Sequence, residues 1–276
     1  MIRAGVMGWP VTHSRSPVVH GFWLQEHGIA GRYELLPVPP EDLATALRGL
    51  AARGFAGCNL TLPHKEGALA IVDRVHTTAQ RIGAVNTVVV GRDGTLEGSN
   101  TDAFGFIANL EQTVPEWRAG AGPAVVLGAG GAARAVVAAL IEAGAPAIRI
   151  ANRHRERALS LTELGDGVEI VDWAARAEAL AGAALLVNTT SLGMTGQPPL
   201  DLALDHLPAS ALVNDIVYVP LETPLLGQAR RRGHRAVDGL GMLLHQARPG
   251  FAAWFGVMPE VTPALRAAVE ASLVAP

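Results

Sequence analysis

Two sets of residues in this chain have the types and spacing to do chemistry. The first is Gly128-Ala129-Gly130-Gly131-Ala132-Ala133, which fits G-x-G-x-x-G/A, follows an apolar strand and opens an alanine-rich helix. In that setting Gly128 allows the tight turn, Gly130 lets the backbone approach a pyrophosphate, and Ala133 is small enough for the helix to pack on the strand. The helix N-terminus then offers free N–H groups and a positive dipole end to phosphates. Six small residues could also be an ordinary strand–helix turn, but the flanks favour a dinucleotide. An NAD site places an acid roughly 20 residues further on, to hold the ribose hydroxyls. Here that place reads Asn152-Arg153-His154-Arg155-Glu156-Arg157. No acid stands at the strand end, and Arg153 and Arg157 lie four apart, which one helical turn brings together. Two guanidinium groups suit a 2′-phosphate, so the spacing points to NADP rather than NAD. The plain alternative, a solvated basic helix start with Glu156 as partner, is disfavoured because cations at a helix N-terminus need an anion.

The second set is four polar clusters, each at the end of an apolar segment: Thr12 to Pro17, Asn59 to Lys65, Gly83 to Thr87, and Asn100-Thr101-Asp102. Polar groups on several loops of one scaffold fit a small, highly hydroxylated ligand. Asn59 and Thr61 alternate with Leu60 and Leu62, so on a strand both polar side chains share a face. Ser14 and Ser16 offer hydroxyls to a carboxylate, although Ser16 before Pro17 also reads as a helix N-cap. Asp102 could likewise cap the helix carrying Phe104, Ile107 and Leu110. His13 and His64 read as turn or packing residues. Among 22 basic residues, 21 are arginine and the one lysine is Lys65. Drift toward arginine accounts for the depletion but not for the place of the residue that is left.

These clusters need a scaffold. Ile2 to Met7 reads as a strand. Ser16-Pro17 opens a helix with Val18, Val19, Phe22 and Trp23 on its apolar stripe, and Gly28 stops it. Pro40 opens a helix carrying Leu43, Leu47 and Leu50. Phe55 to Leu62 is a strand, and Pro63 begins a helix containing Lys65. Val85 to Val90 turns through Gly91-Arg92-Asp93-Gly94 toward Leu96 as a hairpin. After a surface connection over Pro115 to Pro123 the texture becomes regular βαβ. Strands read at 124–127, 148–151, 168–171, 183–187 and 211–216, with a helix over 132–143, which implies a parallel sheet covered on both faces. Beyond Asp238 the chain is helical, over Leu240 to Phe255 and again after the cap Thr262-Pro263. The reading is two α/β domains.

Composition excludes several classes. A net charge of −3 gives no basic face for general nucleic-acid binding. Hydrophobic residues at 49% and charged residues at 17% describe a folded core. No apolar run reaches the ~20 residues of a membrane span. With Cys58 alone no internal disulfide forms; together with an N-terminus lacking a signal-like run, this gives a cytoplasmic expectation. The nine histidines show no metal-ligand spacing, and no metal is expected.

The chain resembles the shikimate dehydrogenases. The matching segments are Gly8-x-Pro10-x-x-His13-Ser14-x-Ser16-Pro17, Asn59-x-Thr61-x-Pro63-x-Lys65-Glu66, Gly83-Ala84-Val85-Asn86-Thr87 and Asn100-Thr101-Asp102. They continue through the glycine loop, Asn152-Arg153 with Arg157, Asn188-Thr189-Thr190-Ser191-x-Gly193-Met194, and Asp238-Gly239-Leu240-Gly241-Met242-Leu243-x-x-Gln246. The resemblance implies NADPH-dependent reduction of 3-dehydroshikimate to shikimate, toward chorismate and the aromatic amino acids. It implies Lys65 and Asp102 as the catalytic pair, and Ser14, Ser16, Asn59, Thr61, Asn86, Tyr218 and Gln246 beside them at the substrate. It gives Gly128, Ala129, Gly130, Gly131, Ala132, Asn152, Arg153, His154, Arg157, Thr190, Ile216 and Gly239 to NADP. It further implies a substrate domain over 1–103, a Rossmann-type NADP domain over 104–239, and C-terminal helices over 240–276 returning to the first domain, with the active site in the cleft. The implied partners are small molecules, with the chain a monomer or homodimer. Departures from the family pattern are Gly21, Leu60, Ala103 and His154; none touches Lys65 or Asp102. The nearest rival is a quinate/shikimate dehydrogenase of broader substrate and cofactor use. A non-catalytic ligand sensor on the same fold would leave the lysine–aspartate pair without a role.

Overall fold

The computed structural model describes residues 1–274. Two compact units divide the chain, one made of residues 1–102 with 244–276 and the other of residues 103–243.

The first unit carries strands β1 (Ile2–Gly8), β2 (Gly31–Pro37), β3 (Phe55–Leu60), β4 (Arg74–Val75), β5 (Thr87–Val90) and β6 (Leu96–Ser99). They form one mixed sheet in the order β2-β1-β3-β5-β6-β4. β1 pairs in parallel with β2 and β3, whereas β5 runs antiparallel to both β3 and β6. β1 is buried over its last five residues, as a strand flanked on both sides must be. The helices of this part are α1 (Ser16–Glu26), α2 (Leu43–Arg48) and α3 (Thr77–Ile82). Leu43, Leu47 and Leu50 are buried with Phe55, Leu60, Val85 and Val88 in one core cluster.

In the second unit α4 (Asp102–Thr113) leads to β7 (Ala124–Leu127), α5 (Gly131–Glu142), β8 (Ile148–Ala151), α6 (Arg155–Leu159) and β9 (Val168–Val171). Then come β10 (Leu185–Asn188), β11 (Leu212–Asp215), α7 (Pro224–Arg231) and β12 (Arg235–Val237). Every pairing in this sheet is parallel, in the order β12-β11-β10-β7-β8-β9. All residues of β7, β10 and β11 are buried, which explains why these strands read as unbroken apolar runs rather than alternations. The chain ends in α8 (Leu240–Phe255), with Pro249 inside it, and α9 (Pro263–Val274). Thr262 caps α9 by accepting the Leu265 N–H at 3.2 Å.

Three local expectations are corrected. Lys65 stands in a turn, not on a helix; a short 3-10 helix follows at Gly67–Ala70. Ser16 does not cap α1: it is the first helical residue, and the Ser14 hydroxyl accepts its backbone N–H at 3.3 Å. Arg153 precedes α6, so helical spacing does not join it to Arg157. β2, β4 and β12 have no clear reading in the sequence, because each is short or half-exposed and its identity comes from pairing partners; α3, at six residues, is too short to show a helical period.

Candidate active site

In the first unit the polar clusters meet through the sheet. The antiparallel register of β3 and β5 sets Asn59 opposite Thr87. Asn86, just before β5, is clamped by its backbone: its N–H donates to the Ser99 carbonyl at 3.0 Å and its carbonyl accepts from Leu60 N–H at 2.8 Å. That clamp aims its side chain. Asn86 Nδ2 donates to Asp102 Oδ1 at 2.7 Å and to Thr101 Oγ1 at 3.1 Å, while its Oδ1 accepts from Thr101 N–H at 2.9 Å. The other carboxylate oxygen, Asp102 Oδ2, accepts from Lys65 Nζ at 2.7 Å. The Asp102 side chain is 6% exposed and that of Lys65 28%. Asp102 is thus fixed from behind by an amide, and the ammonium it holds still reaches solvent. The α4 terminus is served instead by Asn100, whose Oδ1 accepts the Asp102 N–H at 2.9 Å.

The Lys65 turn is pinned on both sides. The Lys65 carbonyl accepts from Val85 N–H at 2.8 Å. Next to it, buried His64 places Nε2 2.8 Å from the Val38 carbonyl, a turn role as its sequence context suggested. Thr61 lies one residue beyond β3, its N–H donating to the Met7 carbonyl at 2.9 Å, and is half-buried. Ser14, Ser16 and Gln246 are half-buried in the same unit, and the Gln246 carbonyl accepts from Thr101 Oγ1 at 2.8 Å.

Tyr33 on β2 is the residue sequence reasoning missed. Its hydroxyl donates to Asn59 Oδ1 at 2.6 Å, and Asn59 Nδ2 donates onward to Thr87 Oγ1 and the Asn86 carbonyl. Burial pushes the Tyr33 hydroxyl well above the usual phenol range, so it remains a donor. The chain has only two tyrosines, and a buried tyrosine hydroxyl needs a partner; that signal becomes visible only once β2 is recognised.

The second unit holds the other set. Gly128 has φ +109°, and a Cβ there would lie 2.5 Å from Thr189 Oγ1. A Cβ at Gly130 or Gly131 would meet nothing within 4 Å. The turn is therefore tight on the protein side and open on the outer side, where a pyrophosphate would lie. Gly130 caps α5 with no side-chain hydrogen bond, leaving the first N–H groups for a phosphate. Ala129 and Ala132 flank this loop half-buried. Arg153, His154 and Arg157 are exposed past the end of β8, and among the described residues no carboxylate pairs with either arginine. Arg155, by contrast, pairs with Asp172 at 2.7 Å. Asn152 Nδ2 donates to the His154 carbonyl at 2.8 Å, shaping that turn.

A cavity of about 320 Å³ opens past the ends of β10 and β11; Thr190, Ile216 and Tyr218 line it, with Thr189, Met194 and Val219. Gly239 is demanded by a close approach, since a Cβ there would sit 2.0 Å from the Ile216 carbonyl oxygen. Among the described residues no group of three His, Cys, Asp or Glu could hold a metal.

Counted from β7, the second sheet has the order 3-2-1-4-5-6, with the glycine loop after its first strand, which is the doubly wound dinucleotide-binding arrangement. Carried on one chain with a polar α/β unit bearing a lysine–carboxylate pair, it defines the class: a dinucleotide-dependent dehydrogenase. Residues 6–88 match the shikimate dehydrogenase substrate binding domain, and residues 114–193 match the shikimate / quinate 5-dehydrogenase family. The chain belongs to the shikimate dehydrogenase family. A shikimate dehydrogenase (NADP(+)) of Paramagnetospirillum magneticum is 63% identical, covering 96% of this chain and 97% of that protein. The crystal structure of shikimate 5-dehydrogenase from Thermus thermophilus in complex with NADP(H) and shikimate superposes with a TM-score of 0.86 at 41% identity, covering 99% and 98% of the two chains. Quinate dehydrogenase from Corynebacterium glutamicum in complex with NAD gives a TM-score of 0.90 at 32% identity, covering 97% and 98%.

Proposed function

We propose that Lys65 and Asp102 carry, in this chain, the NADPH-dependent, reversible reduction of 3-dehydroshikimate to shikimate, a step toward chorismate and the aromatic amino acids. NADPH, when bound, supplies a hydride to the ring ketone, and NADP+ takes it back in the reverse direction. The chain's own residues manage the oxygen. Negative charge develops there as the hydride arrives, and the Lys65 ammonium stabilises that charge and donates the proton. Asp102, held by Asn86, fixes the direction of the ammonium. Ser14 and Ser16 take the substrate carboxylate, and Asn59, Thr61, Asn86, Tyr218 and Gln246 take its remaining polar groups.

The glycine loop takes the pyrophosphate, with Arg153, Arg157 and His154 at the 2′-phosphate and Asn152 shaping their turn. By the symmetry of the doubly wound sheet the residues after β7 and β8 would hold the adenosine half and those after β10 and β11 the nicotinamide half. The cavity lined by Thr190, Ile216 and Tyr218 would then receive the nicotinamide, and Gly239 keeps its back wall close. Residues 1–103 with the C-terminal helices serve the substrate, and residues 104–239 the cofactor. A cytoplasmic monomer or homodimer suits a chain whose one cysteine, Cys58, is free and buried.

The observation that carries this reading is the 2.7 Å contact between Asp102 and the one lysine of the chain. The test is NADPH formation from shikimate and NADP+, followed by absorbance, with Lys65→Met as the folded but inactive control. Quinate with NAD is the second reading, raised by the quinate dehydrogenase neighbour; the lack of an acid at the end of β8 speaks against it. Assaying both acids with both cofactors separates the two.

A further inference from the structure

The two loops that line the cavity past β10 and β11 hang from one buried carboxylate. Asn188 and Asp215 are direct register partners at the ends of their strands, and both side chains are wholly buried. Asp215 Oδ1 accepts from Asn188 Nδ2 at 2.9 Å and from Val217 N–H at 3.1 Å. Asp215 Oδ2 accepts from Thr223 Oγ1 at 2.7 Å. Two of these bonds lead to a wall, and the third to the start of α7. Val217 belongs to the loop over 216–219. Asn188 Oδ1 accepts from Thr190 N–H at 3.0 Å and Thr190 Oγ1 at 2.7 Å, and Nδ2 donates also to the Leu192 carbonyl at 3.1 Å, which shapes the loop over 189–194. Thr223 caps α7 by accepting the Leu226 N–H at 3.3 Å. The two loops are further joined by Thr195 N–H to the Val219 carbonyl at 2.9 Å.

We propose that Asp215 is a positioning residue for the cofactor: it sets the spacing of the two loops that receive the nicotinamide half of NADP(H), without touching the reacting atoms. The proposal rests on the functional reading above. A buried carboxylate is a costly choice for a purely structural tie between loops, since apolar packing of similar volume would do as well without desolvating a charge. Burial pushes the Asp215 carboxyl up to about 6, with the three hydrogen bonds pulling the other way. What the carboxyl offers that packing does not is a directional acceptor shared by both loops.

The conservative change keeps this. In Asp215→Asn the amide oxygen still accepts from Asn188 and Val217, and the amide N–H₂ donates to a Thr223 hydroxyl turned to accept. Asp215→Ala removes the acceptor from three donors at once. The experiment is calorimetric titration of NADP+ and, separately, of shikimate into wild type, Asp215→Ala and Asp215→Asn, with a melting curve for each. Asp215→Ala is expected to raise the NADP+ Kd roughly tenfold or more and the shikimate Kd by clearly less, only through Tyr218 on the same loop, and Asp215→Asn to return the NADP+ Kd to near wild type. Wild-type NADP+ affinity in Asp215→Ala overturns the proposal. So does a parallel loss of both ligands, or an asparagine variant as weak as the alanine one. If Asp215→Ala does not fold, Thr223→Val removes one donor only and must still weaken NADP+ selectively; unchanged binding there overturns the proposal too. A wild-type chain that binds no NADP+ overturns the functional reading itself, and the proposal with it.

Discussion

Lys65→Met deletes the amine while keeping most of the side chain's apolar stem. Two effects separate in magnitude. Loss of a positioned proton donor lowers kcat by about 10²–10⁴-fold, roughly 3–5 kcal/mol in the barrier. The effect on stability is smaller. Removing one partner of a fully buried ion pair costs about 3–5 kcal/mol, and of an exposed pair about 0–1. Here Lys65 is 28% exposed, and Asp102 keeps its 2.7 Å bond from Asn86 Nδ2. The expected loss therefore lies between, at about 1–3 kcal/mol, a drop in Tm of roughly 2–10 °C. The assay is steady-state turnover of shikimate with NADP+ alongside a melting curve and a shikimate titration. The substrate Kd should move far less than kcat. Lys65→Arg should also be poor, because a guanidinium keeps the charge but is effectively always protonated. A folded Lys65→Met chain within tenfold of wild-type kcat would refute the reasoning.

Three other outcomes follow from the same structure. Because Lys65 is the one lysine, an amine-specific reagent reads it against the N-terminus as internal reference; shikimate should slow its labelling, and a quantitatively labelled, fully active chain would contradict the assignment. Arg153→Ser with Arg157→Ser should weaken NADP+ by roughly 2–4 kcal/mol, taking about 1–2 per charge-assisted contact, and leave NAD unaffected; equal losses for both cofactors would remove the 2′-phosphate role. Acid should expose His20, which is wholly buried and stacked on Tyr33 at 3.9 Å, with no hydrogen-bond partner on either ring nitrogen among the described residues. Burial lowers its pKa from 6.5 to about 3, so the unfolded chain binds the proton more readily and stability falls as pH drops through that window, by about 1.4 kcal/mol per unit. His20→Phe should flatten that part of the curve in urea unfolding, and an unchanged slope would show that His20 is not its source.

The sequence read most clearly in the second sheet. β7 begins and ends where its apolar run does, because a strand covered on both faces has no polar alternation to blur its ends; β8 and β9 instead alternate apolar residues with Arg149 and Glu169, a pattern equally easy to read. The glycine loop was legible for a similar reason: its constraint is local, a positive φ at Gly128 beside a strand end. The Lys65 turn was misread as helix because Pro63 followed by Lys65-Glu66 has helix-start chemistry. The structure instead places those residues in a turn tied by His64 to Val38 and by Lys65 to Val85.

By itself the sequence determined the residue types and the local turns: one side-chain amine, carboxylates and amides at strand ends, arginines where an acid would select NAD, and hydrogen-bonding side chains with no choice but to find partners once buried. Only the tertiary structure decided who those partners are. The pairing of β3 with β5 and of β5 with β6 brings Asn59, Asn86, Asp102 and Lys65 together across as many as 43 positions of chain, and the adjacency of β10 and β11 turns Asn188 and Asp215 into one network. Spacing along a chain reports contacts within a turn or a helix; contacts between strands depend on which edges pair and in what register, and that is fixed by the burial of the whole sheet.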